Sequence, residues 1–222
     1  MLNSIHKTLI VLMGLFLIFQ NEPVFADESN AAVYNFDGKA SMRRENTVYQ
    51  LDYDMPCRMN DIIRSDKDGF IDITMKKFAA FRMVGATECL LKKIETDERI
   101  IQLNYGTVQI NLKPLSSNGS LTIETPIVIA SVNGSQFTPE PKNNIFMVIH
   151  VKSKNKSTPV TFLVTKQGGL NVQVKESHTS IKMLETQALE VAEGAFAPVA
   201  RNATEEELQP LEKANGIYIT ED

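Results

Sequence analysis

Tryptophan is absent from this sequence, histidine occurs three times and cysteine twice. The lack of tryptophan removes the largest aromatic platform on which a sugar ring stacks, and this argues against a carbohydrate-binding module. Basic residues are not in excess, because 23 Lys and Arg stand against 27 Asp and Glu, and the net charge is -4. A nucleic-acid partner is therefore not predicted, since such proteins carry a basic footprint.

Several catalytic signatures are also missing. The chain has no Gly-x-Ser-x-Gly elbow, no His-Glu-x-x-His pair, no phosphate loop and no dinucleotide-binding glycine pattern. With so few histidines, little material remains for acid–base chemistry apart from carboxylates. We therefore expect no enzyme, no cofactor and no metal site.

The only long apolar run lies at the N-terminus. Lys7 precedes the stretch Leu9–Phe19, and Val24-Phe25-Ala26 places small residues at the first and third positions before a cleavage point. This order is typical of a secretory signal peptide, so we expect residues 1–26 to be cleaved after Ala26. The alternative is an uncleaved membrane anchor, but a spanning helix needs about 20 apolar residues and the run has about half of that. The mature chain is expected to be periplasmic or secreted, with no stable membrane span.

Export changes the interpretation of the two cysteines. In an oxidising compartment Cys57 and Cys89 can form a disulfide, although spacing alone does not show whether their Cβ atoms approach. A zinc site is not predicted, because two isolated cysteines do not supply four ligands.

Short alternating segments dominate the mature chain. Ile71, Ile73 and Met75 alternate with Asp72 and Thr74, and similar alternation occurs in residues 121–124, 160–164 and 170–174. A period of two indicates half-buried strands, and turn residues separate the segments. We predict an all-β domain over residues 27–199, built as a short-stranded sandwich or as a β-solenoid.

The apolar phase changes at Gly106. Apolar residues occupy odd positions over Ile101–Tyr105 and even positions over Val108–Leu112. Such a strand keeps its apolar side inward only where the backbone absorbs extra length, which a glycine allows. We therefore predict a bent strand pair or a corner at Gly106.

Two further segments carry specific expectations. Ile145–Val151 is apolar throughout and predicts a central strand buried on both faces, and His150 within it is interpreted as a hydrogen-bonded histidine and not as a base. In residues 200–222 Thr204 and Glu207 form a capping box, which predicts one short helix in an acidic tail held loosely from about Arg201 onward.

The turn and strand residues, taken in order, resemble the FecR domain family, named after a periplasmic regulator of ferric-citrate signalling. Asn60-Asp61 corresponds to the Gly-Asp element of that family, with Asn in place of Gly. The segments that carry the resemblance are Asp37–Arg43, Met59–Ser65, Gly69–Thr74, Ile101–Val108, Ile123–Pro126, Val132–Phe137 and Val164–Val174. The family-motif residues are implied to be structural; they are Asp61, Gly106, Thr125, Pro126, Gly134 and Gly168.

The resemblance implies a non-enzymatic module that binds a protein partner or another envelope component, or that takes part in envelope signalling. Since only residues 1–8 precede the apolar run, we expect a free-standing exported module and not a transmembrane regulator with a sigma-binding segment. Two alternatives stay open, a carbohydrate- or cell-wall-binding module and a hydrolase. The hydrolase would use Asp52 and Asp54, predicted to share one strand face as a glycosidase pair, or Asp61.

Overall fold

A computed structural model describes residues 29–76, 78–134, 143–151, 158–214, 217 and 219 of the chain, without the side chain of Lys213. The predicted signal peptide, residues 1–26, lies outside this part. No helix in the described part is long and apolar enough to cross a membrane.

The described residues form strands almost throughout, with one helix near the C-terminus. The elements are β1 Ala31–Asp37, β2 Ala40–Arg44, β3 Thr47–Gln50, β4 Pro56–Cys57, β5 Ile62–Ser65, β6 Phe70–Met75, β7 Ala79–Ile94, β8 Glu98–Leu112, β9 Ser120–Glu124, β10 Val128–Asn133, β11 Asn144–Val151, β12 Val160–Gln167, β13 Leu170–Val174, β14 Ser180–Met183, β15 Gln187–Ala192, β16 Arg201–Asn202 and α1 Glu205–Ala214.

All the strands belong to one sheet, which is antiparallel except where β8 and β9 run parallel. The long strands β7 and β8 pass through both halves of it. One half, layer A, has the order β14-β13-β10-β9-β8-β7-β5-β2-β3, and the other, layer B, has the order β16-β15-β12-β11-β8-β7-β6-β1-β4. The central position predicted for Ile145–Val151 is confirmed, because β11 lies between β8 and β12.

The inner faces of the two layers share one hydrophobic core. Met42, Ile63 and Leu103 of layer A and Ile110 and Phe146 of layer B belong to the same cluster of fully buried side chains. Alternation places every second residue of strands such as β6, β10 and β13 in this cluster. The all-β prediction with a short C-terminal helix is confirmed, and the layers form an open sandwich.

The bend between the layers lies at Gly106. Val84 pairs with Thr107 and Glu88 with Tyr105, so three residues of β7 face Gly106 alone across the ladder. Gly106 has φ +99°, and a Cβ there would lie 2.5 Å from the Cα of Thr87 and 2.6 Å from the carbonyl oxygen of Ala86. The change of phase lies in β8, where Gly106 is followed in the ladder by one unpaired residue, Asn104, between the pairs Glu88–Tyr105 and Cys89–Leu103.

The C-terminal helix has the predicted capping box. The backbone N–H of Thr204 donates to Glu207 Oε2 at 2.8 Å, and the backbone N–H of Glu207 donates to Thr204 Oγ1 at 3.3 Å. The guanidinium of Arg201 also binds this carboxylate, and together these hydrogen bonds lower the pKa of Glu207 to about 2.

The expectation of a loosely held tail is wrong. Leu211, Ala214, Ile217 and Ile219 are buried against the outer side of layer B, where they contact a cluster that includes Met147. Because β11 is apolar on both faces, its second face needs a cover, and the C-terminal segment supplies it.

We expect Gly106→Ala to lower the free energy of unfolding by at least about 3 kcal/mol, because a backbone collision adds to the strain of a left-handed φ. Gly194 is the matched control, since its φ is +80° and nothing lies within 4 Å of its Cβ position. Gly194→Ala should cost about 1–2 kcal/mol. Urea unfolding of both variants measures the difference, and equal losses would show that Gly106 does not form a crowded corner.

Candidate functional site

Asp61 is fully buried and belongs to a structural ion pair. Its carboxylate accepts hydrogen bonds from Arg44 Nε at 2.8 Å, from Arg44 Nη2 at 2.7 Å and from the backbone N–H of Arg58 at 2.7 Å. Arg44 also donates to the carbonyl of Pro56 at 2.9 Å. The pair therefore ties β2 to β4 and to the turn before β5, and its carboxylate is fully engaged in these bonds.

The residue before Asp61 has a backbone conformation that suits either glycine or asparagine. Asn60 has φ +70°, a left-handed conformation in which glycine is favoured and asparagine is tolerated. Its N–H donates to the carbonyl of Leu91 at 2.7 Å, while the carbonyl of Asp61 accepts from the N–H of Leu91 at 3.0 Å. The Asn-Asp element thus holds a turn against β7.

Thr125 belongs to a buried polar bridge between the layers. Its Oγ1 accepts from the N–H of Val128 at 3.0 Å and lies 3.0 Å from Thr161 Oγ1, which lies 3.0 Å from His150 Nδ1. His150 is 1% exposed, so the interpretation of this residue as a hydrogen-bonded histidine is confirmed. Pro126, which is exposed, follows in the connection between β9 and β10.

Two motif glycines allow close backbone approach. A Cβ at Gly134 would overlap the carbonyl oxygen of Ser116, and a Cβ at Gly168 would overlap the side-chain amide of Asn144. The same amide accepts a hydrogen bond from the N–H of Gly169 at 3.1 Å. The rest of the motif that begins at Val132, residues 135–137, lies outside the described residues.

The carboxylates considered for a hydrolase do not converge. Asp52 and Asp54 lie in an exposed turn after β3, and Asp54 has φ +58°, so the prediction that they share a strand face is wrong. Asp52 accepts a hydrogen bond from the N–H of Tyr53 at 2.8 Å, which stabilises the turn. No three His, Cys, Asp or Glu side chains of the described ranges cluster as metal ligands.

Both cysteines are buried and are free thiols in this structure. Cys57 lies in β4, which pairs with β1, whereas Cys89 lies in β7 opposite Ile63 of β5. Burial raises the pKa of Cys57 to about 12 and also raises the pKa of Cys89. Neither sulfur is therefore activated as a nucleophile near neutral pH.

The outer side of layer A is a surface that sequence reasoning missed, and we call it the open face. One cross-strand row on it contains Ile62, Leu90, Gln102, Glu124 and Ile129, all half-buried. The described part of the chain places no helix over this row, whereas α1 covers the outer side of layer B. The sandwich is thus asymmetric, with one face covered by its own chain.

Polar side chains order the open face. Gln102 donates to Asn104 and Asn104 donates to Glu88, each at 2.7 Å, and Glu88 pairs with Arg64. Lys92 pairs with Glu124 at 2.8 Å. Such bonds hold long side chains in one arrangement, which lowers the entropy cost of binding against them.

A shallow groove lies at one end of the open face, across β10, β13 and β14. Ser131, Asn171, Gln173 and Ser180 line it with hydroxyl and amide groups, and Ile129 adds an apolar wall. This chemistry suits the recognition of another polar surface. Only the alternation of β10 and β13 hints at it in the sequence, because the pairing of these strands is not local.

Comparison with known proteins concerns the fold. No protein-family model matches the chain, and no curated protein sequence matches it either. Two crystal structures of a candidate anti-sigma factor from Parabacteroides distasonis ATCC 8503 are similar, with TM-scores of 0.53 and 0.52 at 12% sequence identity. The matches cover 70% and 67% of this chain but only 64% and 62% of the neighbours' chains. This chain therefore shares its β fold with that protein over less than two thirds of that protein's length.

We expect Asp61→Asn to lower the free energy of unfolding by about 3 kcal/mol, because it leaves the Arg44 guanidinium, 21% exposed, without its carboxylate. The matched control is Asp68→Asn, which removes a carboxylate from an exposed pair with Lys67 at 3.6 Å. That change should cost less than about 0.5 kcal/mol. Chemical unfolding distinguishes the two, and similar small losses would contradict a structural role for Asp61.

The thiols give a second prediction. In the native protein neither Cys57 nor Cys89 should react with a thiol reagent, because both are buried with raised pKa values. In denaturant without reductant both should be alkylated, which mass spectrometry detects. Alkylation that requires prior reduction would show instead that the two cysteines form a disulfide.

Proposed function

We propose that this chain is an exported, FecR-like, non-enzymatic module that transmits a signal in the cell envelope by binding a protein partner through its open face. The observation that carries the proposal is the fold, which is similar to that of a candidate anti-sigma factor. The Asn60-Asp61 turn and the corner at Gly106, at the positions that resemble FecR motifs, add support. The N-terminal sequence, with its apolar run and small residues before position 27, supports export.

The arrangement of carboxylates also favours a binding role. Asp61 is engaged by Arg44 and Arg58, and Asp52 and Asp54 stabilise or occupy an exposed turn. A glycosidase needs two carboxyl groups flanking a substrate at a defined separation. The acids considered in the hydrolase hypothesis, Asp52, Asp54 and Asp61, have structural roles instead.

A cell-wall-binding role is the second candidate, and one observation favours it. The rings of Phe36 and Tyr53 contact each other with centroids 5.1 Å apart, and Tyr53 is 58% exposed. An exposed aromatic pair can stack on a sugar ring. The pair is small and lies away from the groove across β10, β13 and β14, so we rank this role second.

Photocrosslinking in the producing cells tests the proposal. A photoreactive residue replaces Thr122 or Gln173 on the open face, and the control replaces Glu205 on α1, an exposed residue of the covered side. We expect one envelope protein to be captured at both open-face positions and not at Glu205, with excess unlabelled chain competing for it. The captured protein is identified by mass spectrometry.

Three results would contradict the proposal. Absence of any adduct at both open-face positions would remove the binding role. Capture of glycan alone, lost on replacing Tyr53 by Ala, would favour the cell-wall role. Recovery of the chain from the cytosol with residues 1–26 attached would remove the export step.

A further inference from the structure

One margin of the open face is formed by β3, whose outer edge pairs with no other strand of the described residues. Among the described strands β3 pairs with β2 alone, and all four of its residues are exposed, including Val48 at 61% and Tyr49 at 38%. Its sequence, Thr-Val-Tyr-Gln, consists largely of strong strand formers and contains neither charge nor proline. Proteins usually protect such an edge, because its free backbone groups can pair with another chain.

The other margins of the two layers carry protective features. The strands β4 and β16 have two residues each, and β4 begins with Pro56, which cannot donate a hydrogen bond. The strand β14 carries Lys182, a charge typical of protected edges. The edge at β3 therefore differs from the others in the described part of the chain.

In the hairpin of β2 and β3, some backbone N–H and C=O groups of β3 point away from β2. A two-residue turn, Glu45-Asn46, joins β2 to β3, and Arg44 pairs with Thr47 directly beside it. The closing pair of such a hairpin is hydrogen-bonded, and pairs then alternate along the ladder. The next pair is Arg43 with Val48, so the N–H and C=O of Val48 point away from β2. The same holds for Gln50.

The side chains beside this edge favour an acidic partner. Arg43 is exposed, lies opposite Val48 on the open face and makes no ion pair with any described residue. The residue that pairs with Arg43 on β5 is Ile62. The arginine of β5, Arg64, already forms an ion pair with Glu88. A carboxylate on an added strand opposite Val48 would lie near the Arg43 guanidinium.

We propose that β3 accepts an extended acidic segment of the protein partner as an added strand. This inference rests on the proposed function and specifies the edge at which the partner docks. The segment bonds to the backbone of Val48 and Gln50, places β-branched residues beside Val48 and directs a carboxylate to Arg43. Four residues of edge give a small contact, which suits a partner that must bind and dissociate.

A second copy of this chain fits the edge less well. Pairing of two β3 strands would supply no carboxylate for either Arg43, because β3 contains no acidic residue. The short edge alone would also bury far less than the roughly 1,200 Å² of a stable interface.

The test uses the mature chain with the probe peptide Ac-Glu-Val-Thr-Val-Glu-Val-Thr-amide and follows backbone amide hydrogen exchange by NMR. We expect the peptide to slow exchange at Val48 and Gln50 at least 10-fold. The variant V48P should abolish this protection at Gln50, since proline removes the outward donor at position 48 without removing a bond to β2, whereas V48T should retain protection at both positions. Thermal unfolding confirms that both variants fold.

Charge is tested separately. Replacing Glu by Lys in the peptide should weaken binding at least 10-fold, and R43E should reverse that preference while R43K keeps it. The proposal would be overturned by protection at another strand instead of β3 or by unchanged protection in V48P. Protection that depends on protein concentration in the absence of peptide would also overturn it. In cells, crosslinks from Thr122 and Gln173 but not from Val48 would refute the β3 edge while leaving the proposed function standing.

Discussion

The structure depends on two strands that belong to both layers. Without the irregularity at Gly106, the apolar residues of β8 would point to opposite sides along its length, whereas the core residues of β7 keep one phase. The left-handed glycine and the shifted register around it reverse the phase of β8, so that both halves present apolar side chains to one core. The remaining strands then add to whichever half they pair with.

A few buried polar contacts determine the turns and the contacts between layers that the alternating pattern does not specify. The Arg44–Asp61 pair sets the turn before β5, and the chain of Thr125, Thr161 and His150 joins the layers inside the core. Elsewhere a strand needs only apolar residues on one side. A fold of this kind tolerates wide sequence change, which accounts for structural similarity to another protein at 12% identity.

Local patterns in the sequence predicted much of this architecture. The corner at Gly106, the central strand Ile145–Val151 and the capping box of Thr204 and Glu207 all follow from spacing within a few residues. The docking of the C-terminal segment could not be predicted in this way, because its apolar residues are sparse and the strand face that they contact is distant in the sequence. The position of Asp52 and Asp54 was missed for another reason, since a left-handed φ at Asp54 turns an apparent alternation into a turn.

The open face was beyond sequence reasoning, because it depends on which strands become neighbours. Ile62, Leu90 and Ile129 look like ordinary strand residues until pairing sets them in one row. Half-buried apolar residues between bonded polar groups then distinguish this face from the side that α1 covers. The partner binding that we propose for this face depends on the placement of these side chains and not on any reactive group.

The continuity of β7 and β8 has a mechanical consequence. Because the same backbone runs through both layers, neither can slide over or detach from the other without breaking the ladder between these strands. A load that reaches β7 or β8 in one layer would be carried along the covalent backbone of these strands into the other layer. The domain would therefore move as one rigid body, and its two layers would not separate.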